Sequence, residues 1–173
     1  MLASSKEELI QEFYARNHAD HLAASRSVLA AGTDLATRLA GAVRALVDVL
    51  APYHSFAATF NKHAAEPASP LSPFSPQSSP ARIASVALDQ EVIEGSTAWM
   101  GPGVREHLPE LFWLYSLGIT LFWVHDKSDG CSRTCRLIDA TVPVIAQLVA
   151  TSRLPALCRT LRDLLAVVDQ LSS

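Results

Sequence analysis

The sequence predicts an all-α fold, and three observations predict it. Apolar residues recur every three or four positions through most of the chain, the period of a helix. Helix-start and helix-stop residues punctuate those runs. No stretch shows the strict apolar–polar alternation of a half-buried strand. The 173 residues are 49% hydrophobic and 18% charged, enough for one domain with a real core, read as a single unit over 1–173. So little charge leaves part of the surface to be covered by a second copy.

Ser5-Lys6-Glu7-Glu8 has the form of a capping box, and a helix is expected from there to about Ala31. Gly32 is expected to stop it in a left-handed conformation. Thr33 or Asp34 caps a second helix with the stripe Leu35, Leu39, Val43, Leu46 and Leu50. Asp34 and Arg38 are spaced for an ion pair on its surface. Pro52 ends or bends that helix, and a further piece from Tyr53 to about His63 carries Phe56 and Phe60 on one face.

The segment from Glu66 to Pro80 has prolines at 67, 70, 73, 76 and 80, four of them preceded by serine. It reads as a stiff Pro/Ser-rich loop, with a polyproline II ligand as the alternative. Ser79-Pro80 starts the next helix, whose expected inner face is Ile83, Val86, Ala87, Gln90 and Ile93, and Gly95 closes it. After a loop at 99–103, a central helix is expected from Val104 to Lys127, with Pro109 near its start or kinking it. Its apolar run Leu111–Val124 is shorter than the roughly twenty residues a membrane span needs, so it reads as a buried helix and no membrane is expected as a partner. Ser128-Asp129-Gly130 forms a loop before a helix of about Cys131–Thr151 that contains Pro143. A last helix, Pro155–Leu171, carries Leu157, Leu161, Leu164, Val168 and Leu171 in a narrow seam that wants a partner helix.

A net charge of −3 without any run of Lys or Arg argues against nucleic-acid binding by this chain alone. Three cysteines and no secretory pattern at the N-terminus point to a reducing, cytoplasmic setting.

Two histidine groupings invite a metal. His18 and His21 share a helix face but lack a third ligand fixed by sequence, and a plain surface pair is the simpler reading. His125 and Asp126, near Asp129 and Cys131, read as a helix end, with Asp126 bonded to the following loop. Cys131 and Cys135 lie on one face beside Arg133 and Arg136, where guanidinium charge would lower a thiol pKa, so redox sensing is the sharper alternative to a structural role. Cys158 reads as core. No nucleophile elbow, phosphate loop or metalloprotease motif is present, so no enzyme activity, cofactor or metal is expected.

Phe112, Trp113, Tyr115, Phe122 and Trp123 fall on several faces of the central helix, more than one core can bury. Gly118 among them removes bulk where another helix could approach. A homodimer is therefore expected through this helix and the next, with Leu114, Gly118, Leu121, Phe122, His125, Leu137, Thr141, Ile145 and Leu148 at the interface. An apolar effector pocket is expected in the preceding helices, walled by Phe13, Phe56, Phe60, Trp99 and Trp113, with His54 or His63 as a polar contact.

Two groups of residues carry a family resemblance. Ser5-Lys6-Glu7-Glu8-Leu9 resembles the start of the long connecting helix that follows the DNA-binding head in TetR-family regulators. Arg105–Tyr115, Leu121-Phe122-Trp123-Val124-His125-Asp126 and Arg136–Pro143 are similar to the dimerisation helices of that family. His54-Ser55-Phe56 and Ser69–Phe74 add to the likeness. The resemblance implies the C-terminal half of such a regulator: a helical bundle that senses a small hydrophobic effector and dimerises through a four-helix bundle. A repressor is the expected role. Only Met1–Ser4 precede the first motif, so DNA contact is expected only through a helix-turn-helix head that is not in this chain. The alternatives are a head-less module that pairs with intact regulators, or a small-molecule carrier on the same scaffold.

Overall fold

The computed structural model describes residues 6–58, 69, 72–101 and 103–152, and those residues contain helices, turns and no strand. The helices are α1 (Lys6–Ala31), α2 (Leu35–Leu50), α3 (54–58), α4 (Ser79–Glu94), α5 (Val104–Val124) and α6 (Ser132–Thr151). The all-α class read from the sequence is the class observed. The expected helix Pro155–Leu171 and the residues Ser5, Phe60, His63, Pro67, Pro70 and Cys158 lie outside the described residues.

The local signals explain most boundaries. Asp34 caps α2 by accepting the Thr37 N–H at 3.1 Å. Pro52 follows the last turn of α2, and the chain tightens into a 3-10 turn at Ala51–Tyr53 before α3. Ser79 and Pro80 open α4, and Gly95 ends it in a right-handed conformation. Pro109 sits early in α5, inside the helix.

Between 72 and 78 the Pro/Ser segment is a chain of turns, which sets aside the polyproline II alternative for that stretch. The N–H groups of Ser72, Ser75 and Ser78 donate to the carbonyls of Ser69, Ser72 and Ser75 at 3.0, 2.9 and 3.1 Å. All three of these serines are buried. Pro76 is exposed and Pro73 half-buried, and both stiffen the turns.

The core joins α2, α4, α5 and α6. Leu39, Val43, Val92, Ile93, Phe112, Ile119, Trp123, Ile138 and Val142 are almost wholly buried and in mutual contact. Helix α1 lies along α2 and α4. His54 of α3 donates through Nε2 to the Trp123 carbonyl at 2.8 Å, and its ring meets the Trp123 ring edge-on at 4.7 Å. The Ser152 hydroxyl accepts the Gly101 N–H at 3.1 Å, fixing the loop before α5 against the end of α6.

Three expectations need correction. Gly32 is not left-handed; its N–H simply bonds the Val28 carbonyl as a last helical turn. The buried face of α4 is Leu88, Asp89, Val92 and Ile93, while Ile83 and Ala87 are exposed. Apolar residues on both sides of this helix made its rotation ambiguous from periodicity alone.

Arg38 forms no ion pair with Asp34. It is buried, and its guanidinium donates to the carbonyls of Leu29 and Gly32 at the end of α1 and of Glu91 and Val92 near the end of α4. One cation thus caps two helix C-termini, meeting the unsatisfied carbonyls and the negative dipole ends of both. It also sets the direction of these helices, since α1 and α4 must run toward a common end.

Candidate functional site

The turn between α5 and α6 is organised by one carboxylate. Asp126 Oδ1 accepts from the Ser128 N–H and hydroxyl, and Oδ2 from the Thr134 N–H and hydroxyl, all within 2.6–2.9 Å. Burial opposes ionisation, but these bonds outweigh it and hold the carboxyl well below the ordinary carboxylate range. Two successive residues in the turn are left-handed, Gly130 at φ 57° and Cys131 at φ 51°. A cysteine in that region is strained and is held there by the capped helix that follows.

This anchored turn sets α5 and α6 side by side, with Tyr115 and Thr141 hydroxyls joined at 2.6 Å. Facing outward from the pair is an apolar surface. Leu121, Val144 and Leu148 are 51%, 55% and 49% exposed, and Gly118 meets nothing within 4 Å of the position a Cβ would take. Leu114, Leu117, Gly118, Leu121 and His125 follow helical spacing along α5; Leu137, Thr141, Val144, Ile145 and Leu148 do so along α6. Between them lies a cleft of about 440 Å³ lined by Gly118, Leu121, Phe122, His125, Asp126 and Arg133. The stretch Asp129–Thr151 is long and apolar enough to cross a membrane, with only 22% of its most apolar window buried in the chain itself. A core helix would be mostly covered, so this one has an unmet face.

A second concavity, about 580 Å³, opens between α1, α2 and α6. Its floor is small side chains, Ala36, Ala40, Gly41 and Ala45 of α2, with Ala24 and Val28 of α1 on one wall and Ile138, Val142 and Pro143 of α6 on the other. An exposed Arg44–Asp139 ion pair crosses from α2 to α6 at its edge. None of the described residues expected to line an effector pocket (Phe13, His54, Phe56, Trp99 and Trp113) borders it, and the small-residue spacing on α2 is the sequence signal that could have found it.

The structure distributes the expected pocket residues among separate neighbourhoods. Phe13 meets Tyr53 edge-on at 4.9 Å. His54 is committed to Trp123. Trp113 is buried, with the Phe74 ring at 5.4 Å and the Arg82 guanidinium at 6.0 Å from its face. Phe56 and Trp99 are 62% and 45% exposed.

Along α1, polar residues turn inward: Asn17, His21 and Ser25 are buried, and Tyr14 and His18 are partly so. Burial pushes the Tyr14 hydroxyl up to about 12 and lowers the pKa of both His18 and His21. His21 Nε2 bonds the Ala42 carbonyl at 2.8 Å, which accounts for one of the two nitrogens that a metal reading would need. Among the described residues no group of three or more His, Cys, Asp or Glu could hold a metal ion.

The Cys131 thiol is pushed up, first by burial, then by the Asp126 and Cys135 charges, against a lowering contact from Trp123. That is the opposite of the activation expected from Arg133 and Arg136. Arg133 instead lies 5.9 Å over the Phe122 ring.

The described residues thus form a helical body with an outward-facing apolar α5–α6 pair and a long flanking α1 that turns polar residues inward. A family model described as "Tetracyclin repressor-like, C-terminal domain" matches residues 38–168. The chain belongs to that family of TetR-like C-terminal domains. A search of curated proteins finds no match to the chain.

Proposed function

We propose that this chain is the effector-sensing and dimerisation domain of a TetR-type repressor, working in the cytoplasm as a homodimer that binds a small, largely hydrophobic molecule. The observation that carries this reading is the apolar α5–α6 face in a chain of that family. Two such faces related by a two-fold axis make a four-helix bundle, with Leu114, Gly118, Leu121, Phe122 and His125 of α5 opposite Leu137, Thr141, Ile145 and Leu148 of α6. Gly118, open on its outer side, suits the closest crossing.

The effector is proposed to bind in the helices that precede the dimer pair, with Trp113, beside Phe74 and Arg82, as an apolar member of its wall. Helix α1 packs on α2 and α4 and is separated from α6 by the small-residue groove. That groove is room into which α1 can tilt relative to the dimer pair. A ligand that prefers one tilt by about 1.4 kcal/mol shifts the populations tenfold. DNA contact is assigned to a separate helix-turn-helix head, which α1 would carry.

The test is thermal melting against a panel of hydrophobic metabolites, followed by Trp113→Ala with a responsive compound. A rise in Tm that Trp113→Ala abolishes supports the reading; no response to any hydrophobic compound opposes it.

A further inference from the structure

On the covered face of α1, two of the buried polar side chains are committed. Asn17 Nδ2 donates to the Phe13 carbonyl at 2.9 Å, and His21 Nε2 bonds the Ala42 carbonyl at 2.8 Å. Ser25, next along the same face, is 0% exposed, and its hydroxyl has no hydrogen-bond partner. Asp89 on α4 is 7% exposed, and no hydrogen bond or ion pair joins its carboxyl to another described residue.

Arg38 brings these two leftovers into register. Its guanidinium holds the carbonyls of Leu29 and Val92 together. Ser25 lies four residues before Leu29, and Asp89 three before Val92, on helices that run toward the same end. Both therefore stand one turn back from a shared clamp. The guanidinium itself is taken up by backbone carbonyls and does not offset the burial of Asp89, whose carboxyl is pushed up to about 8.

We propose that Asp89 and Ser25 are the polar anchor of the effector site, and that the effector they fit carries a basic nitrogen on an apolar body. This rests on the effector-sensing reading above and names its ligand class. A buried hydroxyl with no partner and a largely buried carboxyl that no described residue bonds call for a group that donates to both. An ammonium does so, has no acceptor of its own to leave unpaired, and supplies the charge that lets Asp89 ionise inside the bundle. A neutral hydroxyl can meet the hydrogen bonds but not the charge. The apolar body extends along the same face of α1 toward His18 and Tyr14, which are only partly covered.

The experiment is calorimetric titration of the full chain with a matched pair of probes, 4-phenylbutylamine and 4-phenylbutanol, on the wild type, Asp89→Asn and Ser25→Ala. Asp89→Asn keeps the side-chain shape, and its fold is checked by circular dichroism. The expected result is at least about tenfold tighter binding of the amine by the wild type, reduced to within about twofold in Asp89→Asn, with a partial loss in Ser25→Ala. Equal or tighter binding of the alcohol overturns the inference while leaving a hydrophobic-effector domain intact. An amine preference that survives in Asp89→Asn, or no amine binding by the wild type, overturns it as well.

Discussion

A Cβ on Gly95 would lie 2.2 Å from Nη2 of Arg38. The end of an arginine side chain normally yields to such a contact. This one is held by carbonyls at the ends of both α1 and α4, so yielding breaks the double cap. Gly95 has an ordinary φ of −80°, so conformational freedom is not the reason for a glycine here.

Gly95→Ala is therefore expected to destabilise the fold by about 1–3 kcal/mol through overpacking. Arg38→Met, which leaves several buried carbonyls unpaired, is expected to cost roughly 3 kcal/mol or more. Arg38→Lys keeps the charge but lacks the planar fork, and is expected to recover only part of that. Urea unfolding followed by circular dichroism checks all three.

A second glycine sets the distance between α1 and α2. A Cβ on Gly41 would fall 2.0 Å from Val28 Cγ1. Gly41→Ala is expected to lose about 1–3 kcal/mol, and Val28→Ala in the same chain to restore part of it. A double-mutant cycle in urea reads the coupling.

How much of this was legible beforehand follows from the kind of signal each residue carries. Asp34, Pro52, Ser79 and Pro80 act on their own neighbours, so they marked helix boundaries in the sequence as they do in the structure. Arg38 acts across 53 and 54 residues on Glu91 and Val92, and a local rule could only pair it with Asp34. The outward face of α5 and α6 was readable because Leu121 and Leu148 fall on repeating helical positions. Asp89 was not singled out, since a lone aspartate mid-helix reads as solvent-facing until the rotation of α4 is known. The aromatics of the expected pocket were grouped by proximity in sequence, which does not decide which helix faces meet.

Asp126 gives a pH signature at the acid end. Its folded pKa is held far below the unfolded value of 3.8, so its contribution is complete above that value and is lost as pH falls below it. Asp126→Ala is expected to cost about 2 kcal/mol at neutral pH through the lost cap of α6, and to weaken the acid sensitivity of folding. Urea midpoints at neutral pH and below pH 4 for the variant and the wild type report both effects.

Asp89 gives the opposite signature. Its folded value of about 8 lies above the unfolded 3.8, so the stability it contributes is fully present below 3.8 and is lost as pH rises through 8. His18 and His21, whose values are lowered by burial, act in the other sense and lose stability as pH falls below 6.5. Comparing Asp89→Asn with the wild type cancels the histidines. The variant is expected to gain stability relative to the wild type as pH is raised through 8, as judged by Tm across a pH series.

The central claim is that the α5–α6 face joins two copies of this chain. Multi-angle light scattering on the wild type and on Leu121→Glu at micromolar concentration measures it directly. The expected result is a wild-type mass of twice the 18.7 kDa chain, falling to the single-chain mass when a charge is placed on that face. A wild-type mass of one chain, or a dimer that persists unchanged in Leu121→Glu, would contradict it.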